Sequence, residues 1–269
     1  MTNDPWNVGG LDLDAYLRRL DTKPVERVDL TELTRLQRAH RAALPFENLD
    51  IILGRGVALD LESLQGKLIR RRRGGYCYEH SLLFAAALER SGFAVTRLLA
   101  RIVTGTATRP HTHMTLQVVV DGAGYLCDTG LGGGAPLEPI PLRPGIVEQD
   151  GWGYGLTATD RWTLRGRIGA DWSDLYTVTL EPTEPVDYTV ANHYTSTHPR
   201  SPFVGRPLVQ VTRAGRRLLL DDRRFIRLDA DGKEQVSELD DAGFRAVLTE
   251  EFGLPLETDE VDRLIELTR

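Results

Sequence analysis

The segment Arg70–Ser81, "RRRRGGYCYEHS", leads directly into a long apolar stretch of the chain. The residues that follow, "LLFAAALER", are apolar almost all round, and Ser91-Gly92 is a good signal for the end of a helix. A helix that is apolar on nearly every side lies inside a protein rather than on its surface. The pattern therefore predicts a central helix that begins near Cys77 and stops at Ser91-Gly92.

The chain on either side of this helix shows two different hydrophobic periods. From Leu11 to roughly Gly92 apolar residues recur at helical spacing, and Asp29 with Glu32 resembles a capping box. After Gly92 the period changes to that of strands, which predicts a barrel or a strongly bent antiparallel sheet. From about Val236 the helical spacing returns. The predicted strands are "FAVTRLLARIV", "HMTLQVVV", "YLCDTG", "DLYTVTLEP", "PLVQVTR" and "GRRLLLDDRRFIRL".

The composition is that of a globular protein and limits the possible functions. The chain has 269 residues and a formal net charge of −6, which argues against binding to nucleic acid or to an anionic membrane. No run approaches the ~20 apolar residues of a membrane span, and "MTNDPWNVGG" lacks the features of a secretory signal. We therefore expect a cytoplasmic protein. The basic run Arg70–Arg73 is short and adjoins a buried helix, which favours an ion-pair role over phosphate binding.

Cys77 is a candidate nucleophile because of its place at the start of the predicted helix. Unpaired backbone N–H groups and the helix dipole stabilise negative charge there, which lowers the pKa of a thiol. Gly74-Gly75 allows a tight backbone path and is expected to leave room for a substrate to approach the sulfur. The alternative is that Cys77 is a buried packing residue, since free cysteine is often buried. Both cysteines of the chain, Cys77 and Cys127, are expected to be free thiols.

A hairpin supplies candidate partners, because a cysteine nucleophile normally needs a histidine base and an orienting carboxylate. If Asp121-Gly122 in "HMTLQVVVDGAGYLCDTG" forms a two-residue type I′ turn, Thr115 faces Asp128 across the hairpin. His113 then shares a face with Thr115 and is a diagonal neighbour of Asp128, close enough for the two side chains to meet. The same register turns Cys127 to the opposite face, as a packing residue.

Other histidines give weaker alternatives. His111 has the same parity as His113 but lies closer to Pro110, before regular pairing begins, and is a second candidate base. The "HTH" sequence with an acidic residue also permits zinc binding, although further ligands at suitable spacing are lacking. His80 is interpreted as a structural or surface residue, and the segment "YTSTHPRSPF" as a loop.

Five motifs in the chain resemble those of the arylamine N-acetyltransferase family. "RRRGGYCYEHS" resembles the family signature R-R-G-G-x-C-x-E, and "LPFENLDIILG" resembles its P-F-E-N-L segment. "RPHTHMTLQV" is similar to the P-x-x-H strand, "YLCDTGLGGG" to Y-L-V-D-V-G-F-G-G, and "YTSTHPRSPF" to the S-x-H-P-x-S-x-F loop. The motifs follow the order of the family from Leu44 to Phe203, which makes the resemblance highly specific.

The resemblance implies a fold. It implies an α+β protein with a fold related to papain-like and transglutaminase-like thiol enzymes. Three domains are expected: an N-terminal helical bundle over 1–92 that carries the cysteine, a central β-barrel over 93–190 that carries the histidine and aspartate, and a C-terminal α/β lid over 191–269.

The resemblance also implies an activity, the transfer of an acetyl group from acetyl-CoA to an arylamine, hydrazine or hydroxylamine in xenobiotic metabolism. Cys77, His113 and Asp128 take the catalytic positions, with ping-pong kinetics through acetyl-Cys77. Backbone N–H groups of Cys77 and Thr112 are expected to stabilise the oxyanion. Acetyl-CoA is then a substrate, and no metal or tightly bound cofactor is expected. The expected partners are small molecules rather than nucleic acid or membrane, with the chain a monomer or homodimer.

Further positions follow the pattern of the family. Glu47 and Arg73 are expected to form a buried ion pair that braces the cysteine loop. For the two phenylalanines among the substrate-binding positions, ordinary core packing is the alternative. The positions implied for substrate binding are Phe46, Gly130, Leu131, Gly132 and Phe203.

Leu131 departs from the pattern, because the family usually has phenylalanine there. The change removes an aromatic wall from the expected amine pocket and leaves the acceptor open. One alternative function is a macrolactam-forming amide synthase of polyketide biosynthesis, which resembles this family throughout. A more distant alternative is a transglutaminase-like thiol hydrolase, or an inactive binding module of that fold.

Overall fold

The computed structural model describes residues 4–105 and 108–268, in which helices pack against two antiparallel sheets. Helices prevail up to Arg90, strands from Ala94 to Val178, and both kinds of element follow. Short π-helical turns continue two of the helices, over Gln65–Arg70 and Val247–Glu251. The α-helices are α1 Leu13–Arg19, α2 Leu30–Ala43, α3 Leu49–Ile52, α4 Leu61–Leu64, α5 Cys77–Arg90, α6 Pro185–Thr197, α7 Asp241–Ala246 and α8 Thr258–Leu267.

The strands form a nearly closed eight-stranded barrel and a separate five-stranded sheet. The barrel strands are β2 Ala94–Ile102, β3 His113–Val120, β4 Ala123–Cys127, β5 Ile140–Pro141, β6 Gly145–Gln149, β7 Trp152–Ala158, β8 Trp162–Ile168 and β9 Asp171–Val178, in the order β5-β4-β3-β2-β9-β8-β7-β6. The second sheet has the order β1-β10-β11-β12-β13 and consists of β1 Phe46–Glu47, β10 Leu208–Arg213, β11 Arg216–Asp221, β12 Arg224–Asp229 and β13 Glu234–Glu238. The predicted α+β class and thiol-enzyme architecture are thus confirmed.

The central helix α5 explains how the helical layer and the barrel are joined. Every residue from Cys77 to Leu88 is buried, as the apolar sequence predicts. Alternate residues of β3 belong to the same hydrophobic cluster as α5, among them Met114, Leu116 and Val118. Because strand side chains alternate, the other face of β3 turns toward the barrel, where Leu98 and Ala100 of β2 are buried. Strand β3 is therefore shared between two cores.

The β3–β4 hairpin has the register that the sequence predicts. Asp121 and Gly122 both have positive φ, 50° and 77°, as a type I′ turn requires. Val119 pairs with Gly124, and Leu116 pairs with Cys127. Cys127 is fully buried in the cluster that contains Leu116, so its predicted packing position is observed.

Several elements differ from the sequence prediction. Strands β6, β7 and β8 are not among the predicted strands, because glycines and charged residues interrupt their apolar pattern. The segment interpreted as a loop begins inside α6, where Tyr188, Ala191 and Thr195 are buried by tertiary packing. Val236 lies in strand β13 rather than in a helix, and the helix α7 begins only at Asp241.

The predicted N-terminal and C-terminal domains contribute strands to one sheet, and the boundaries of the three predicted domains stay a prediction. Phe46–Glu47 lies in the N-terminal segment but pairs with β10 of the C-terminal sheet. Buried apolar residues form three clusters: one around α5, one inside the barrel, and one between the second sheet and helices α7 and α8. Across the described ranges, we find no helix long and apolar enough to cross a membrane.

Five buried charged residues form an ion network around the turn that precedes α5. Lys67 Nζ lies 2.8 Å from Asp50 Oδ2 and 2.9 Å from Glu79 Oε1. Arg73 Nη2 lies 2.9 Å from Glu47 Oε1 and 3.5 Å from Asp50 Oδ1, so Asp50 connects the two halves. Burial opposes the positive charge of Lys67, but the carboxylates of Glu79, Glu47 and Asp50 raise its pKa above the ordinary value. The expected contact between Glu47 and Arg73 is present, as part of a larger network.

Replacing Arg73 by Gln should lower the thermal stability sharply, because Glu47 and Asp50 then lose a buried cation. Breaking a buried pair from one side costs about 3 to 5 kcal/mol, which in a protein of this size lowers the melting temperature by roughly 10 °C. Differential scanning calorimetry checks this. The matched control is Arg71→Gln, since Arg71 is exposed and its loss should change little. Equal melting temperatures for the two variants would contradict the prediction.

Candidate active site

Cys77 is the first residue of α5 and is 3% exposed. Its Sγ donates to the carbonyl oxygen of Thr112, 3.8 Å away. Burial raises the pKa of the Cys77 thiol, while backbone hydrogen bonds from Met114 and Tyr78 act to lower it. The lowered pKa expected from the helix start is therefore outweighed by desolvation. A protonated thiol at this position needs a nearby base before it can react.

The two glycines before Cys77 do not leave room for a substrate, contrary to the sequence interpretation. A Cβ atom at Gly74 would lie 2.1 Å from Pro45 O, and one at Gly75 would lie 2.8 Å from Glu79 Oε2. The space beside them is therefore filled by the protein itself. Glu79 Oε2 also accepts the N–H of Tyr76 at 2.9 Å, which caps α5. The glycines allow the cysteine turn to pack tightly against its supports.

His113 and Asp128 are in contact, as the hairpin register predicts. His113 Nε2 and Asp128 Oδ2 are 2.6 Å apart, and both residues are buried. Asp128 Oδ1 accepts the N–H groups of Gly130 at 2.9 Å and Leu131 at 3.0 Å. Burial acts to raise the pKa of Asp128, but His113 and these hydrogen bonds hold it below the ordinary value. Asp128 is thus an ionised acceptor that fixes one nitrogen of the imidazole.

Tyr176 on β9 completes the surroundings of this pair and was missed by sequence reasoning. Its ring centroid lies 5.0 Å from that of His113, and its hydroxyl hydrogen-bonds Asp128. The hydroxyl also lies 3.2 Å from Thr115 Oγ1. Tyr176 belongs to a predicted strand, but its neighbour β2 could be found only from the sheet order, which is a long-range property.

Arg41 on α2 is a second residue that the sequence did not reveal. Its guanidinium is buried and donates to the carbonyl oxygens of Thr129 at 3.3 Å and Gly132 at 2.8 Å. It also donates to Thr212 Oγ1 at 3.1 Å. Burial lowers the pKa of Arg41 to about 10, which still leaves the side chain charged at neutral pH. Arg41 therefore holds the loop whose N–H groups bind Asp128.

A cavity of about 290 Å³ opens beside Cys77 and His113. Four of the five positions implied for substrate binding line it: Phe46, Gly130, Leu131 and Phe203. The ring centroids of Phe46 and Phe203 are 5.7 Å apart, so the two rings also pack against each other. Each phenylalanine therefore both lines the cavity and takes part in core packing.

Gly132 does not line this cavity, which leaves its predicted substrate contact without support. Its carbonyl oxygen is bound by Arg41, and Gln210 fills the space where a side chain would begin. Thr112 does line the cavity. At Cys77 Sγ, however, it presents a carbonyl oxygen, and the expected oxyanion role of its N–H stays a prediction.

The other histidines are separate from the cavity. His111 is exposed, and its Nε2 lies 3.2 Å from Arg101 Nη2, so the alternative base does not face Cys77. His80 is fully buried, which excludes the surface interpretation, and hydrogen-bonds Pro45 O at 3.1 Å and His40 at 3.0 Å. In residues 4–105 and 108–268, no group of three or more His, Cys, Asp or Glu side chains is arranged to hold a metal ion.

Comparison with known proteins gives the class and then the family of the chain. Residues 29–261 match the family described as N-acetyltransferase. An arylamine N-acetyltransferase of Mycolicibacterium smegmatis is 42% identical over 80% of this chain and 79% of its own length. The chain belongs to the arylamine N-acetyltransferase family, which is a family of acyltransferases.

Solved structures agree with this assignment. The arylamine N-acetyltransferase from Mycobacterium abscessus superposes with a TM-score of 0.93 at 36% identity, covering 98% of this chain and 96% of that one. The Mycobacterium marinum arylamine N-acetyltransferase in complex with CoA superposes with a TM-score of 0.88 at 33% identity, covering 96% of this chain and 98% of that one.

Iodoacetamide should label Cys77 and spare Cys127, because Cys77 borders the cavity while Cys127 is fully buried in an apolar cluster. Replacing His113 by Gln should slow labelling at pH 7 by about 10²-fold, since the buried thiol loses its proton acceptor. Peptide mapping by mass spectrometry checks both. His111→Gln is the matched control and should leave the rate unchanged. Slower labelling in the control alone would point to His111 as the base instead.

Proposed function

We propose that this chain transfers an acetyl group from acetyl-CoA to an arylamine, a hydrazine or an arylhydroxylamine through an acetyl-Cys77 intermediate. The observation that carries the proposal is the 2.6 Å contact between His113 and Asp128 beside a cavity that Cys77 and His113 both line. Membership of the family supports the reaction class. The relative solved with CoA supports CoA as the acyl carrier.

In the first half-reaction, the Cys77 thiol gives its proton to His113 as the sulfur attacks the thioester carbonyl of acetyl-CoA. The tetrahedral intermediate then expels the CoA thiolate, which takes the proton from His113 and leaves as free CoA. Backbone N–H groups of Cys77 and Thr112 are the proposed donors to the oxyanion. Asp128 stays ionised and stabilises the imidazolium that forms.

In the second half-reaction, the amine nitrogen attacks the acetyl carbonyl of acetyl-Cys77. His113 accepts a proton from the nitrogen and returns it to the sulfur as the C–S bond breaks. The products are the N-acetylated amine and the free Cys77 thiol, so the two substrates react in turn. The contacting rings of Phe46 and Phe203, which line the cavity, support a flat aromatic acceptor. Leu131 supplies an aliphatic wall on the same cavity.

Incubation with acetyl-CoA should release CoA in a burst and increase the mass of Cys77 by one acetyl group. Addition of an arylamine should then remove the acetyl group and yield the N-acetylated amine. Intact-protein mass spectrometry and thiol titration check this, with folded Cys77→Ala as the control that gives neither signal. An adduct formed only from a carrier-bound polyketide chain would favour an amide synthase. A folded protein without any adduct would contradict the proposal.

Replacing Asp128 by Asn should lower kcat by roughly 10²- to 10⁴-fold, because the imidazole loses the charge that sets its tautomer. The KM for acetyl-CoA should change little, since Asp128 is buried behind His113. Asp121→Asn is the matched control, on the exposed turn of the same hairpin, and should keep full activity. Steady-state kinetics on both proteins, with circular dichroism to verify folding, check this. A folded Asp128→Asn variant with normal kcat would refute the assigned role.

A further inference from the structure

The cavity beside Cys77 has an unusual charge composition for this chain. Arg109 and Arg200 both line it, and its lining contains no Asp or Glu among the described residues. The chain as a whole carries a net charge of −6, with 39 acidic residues. Acidic side chains are thus abundant in the chain, but none belongs to the described lining of this cavity. A positive lining in an acidic protein attracts a ligand of negative charge.

Both arginines are free to bind a ligand. Their guanidinium groups make no ion pair and no hydrogen bond within residues 4–105 and 108–268. Two half-buried arginines of β8 are paired by contrast: Arg165 lies 2.8 Å from Asp174, and Arg167 lies 2.9 Å from Glu148. Among the described residues, exposed arginines outside the cavity such as Arg71 also lack a partner, so what distinguishes Arg109 and Arg200 is that both line the cavity.

The charge of the opening extends beyond these two side chains. Arg101 Nη2 lies 3.2 Å from His111 Nε2, next to the segment that carries Arg109. Burial and the charges of Arg101 and Arg161 lower the pKa of His111, so this histidine is neutral near pH 7. Arg101 thus adds a positive charge beside the segment that carries Arg109, and the described cavity lining contains no acid to balance it.

The backbone around Arg200 is held in place by hydrogen bonds. The Arg200 N–H donates to His198 Nδ1 at 3.1 Å, and the Ser201 N–H donates to His198 O at 2.8 Å. Ser201 Oγ in turn donates to the carbonyl oxygen of Thr195, the buried residue in the last turn of α6. Arg200 is therefore presented to the cavity from a fixed turn, three residues before the Phe203 wall.

We propose that Arg109 and Arg200 form an anion-recognition subsite of the cavity, which binds a negatively charged group of one of the two substrates. That group is a carboxylate on the acceptor amine or a phosphate of CoA, since a guanidinium binds both in the same forked geometry. The subsite serves the acetyl transfer proposed above and rests on it. It makes the enzyme select between substrates of equal shape and different charge.

The acceptor arm compares 4-aminobenzoate with its uncharged methyl ester, using acetyl-CoA as the donor. The proteins are the wild type, Arg109→Gln, Arg200→Gln and the double variant. If the subsite binds the acceptor, kcat/KM for 4-aminobenzoate falls by roughly five- to tenfold in each single variant, as expected for loss of a charge-assisted hydrogen bond. The value for the methyl ester should stay the same.

The donor arm compares acetyl-CoA with 4-nitrophenyl acetate, which carries no phosphate, using the methyl ester as the acceptor. If the subsite binds CoA, kcat/KM falls for acetyl-CoA and not for 4-nitrophenyl acetate. In a ping-pong reaction kcat/KM of each substrate reports its own half-reaction, so the two arms are independent. Arg263→Gln is the control, because Arg263 is exposed, pairs with Glu266 and lies outside the cavity lining.

A selective loss in either arm supports the subsite and identifies its ligand. Unchanged ratios of charged to uncharged substrate in both arms of the folded double variant overturn it. If the wild type transfers no acetyl group from either donor, the proposed function fails. The subsite is then tested separately, by calorimetric measurement of the binding of CoA and of 4-aminobenzoate. Weaker binding of either compound to the double variant than to the wild type then supports the subsite, and equal or absent binding overturns it.

Discussion

The position of the thiol depends on the buried ion pairs that Lys67 forms with Asp50 and Glu79. A buried charge is tolerated only when its partners are held against it. Glu79 meets this condition from the first turn of α5 and also caps that helix through the Tyr76 N–H. Arg73 and Asp50 extend the network to the turn before α5 and to the helix α3. Movement of the cysteine turn would therefore uncover several charges at once.

A similar constraint acts on the other side of the site. Asp128 is fully buried, and its charge is balanced by His113 and by the N–H groups of the loop that follows it. Arg41 holds that loop through its carbonyl oxygens. The same loop approaches α5 closely, since a Cβ atom at Gly130 would lie 2.7 Å from Cys77 O. The buried acid thus fixes both the imidazole and the distance between the loop and the cysteine.

Sequence reasoning succeeds here where the decisive information is local. The apolar run after Cys77 is sufficient to predict α5, and the Asp121-Gly122 turn is sufficient to set the hairpin register that joins His113 to Asp128. It fails where position depends on sheet order, because nothing in the sequence near Tyr176 says that β9 pairs with β2. It also fails where a polar residue is buried by distant partners. Arg41 looks like a surface residue of an amphipathic helix, yet its partners lie about 90 residues further on or more.

The charges around the thiol are arranged in a consistent way. Burial already raises the pKa of Cys77, and any unbalanced negative charge nearby would raise it further. Glu79 and Asp128 are the acids whose charges act on the pKa of Cys77. Each contacts a partner that offsets its charge: Lys67 contacts Glu79, and His113 contacts Asp128. The cavity lining, as far as the described residues form it, then contains only neutral and basic groups. In the proposed reaction such an opening stabilises the thiolate and the oxyanion as they form, and the same charge distribution favours the proposed anionic substrate. The proposed reactivity and the proposed selectivity therefore depend on one constraint, the absence of carboxylates from the described lining of the cavity.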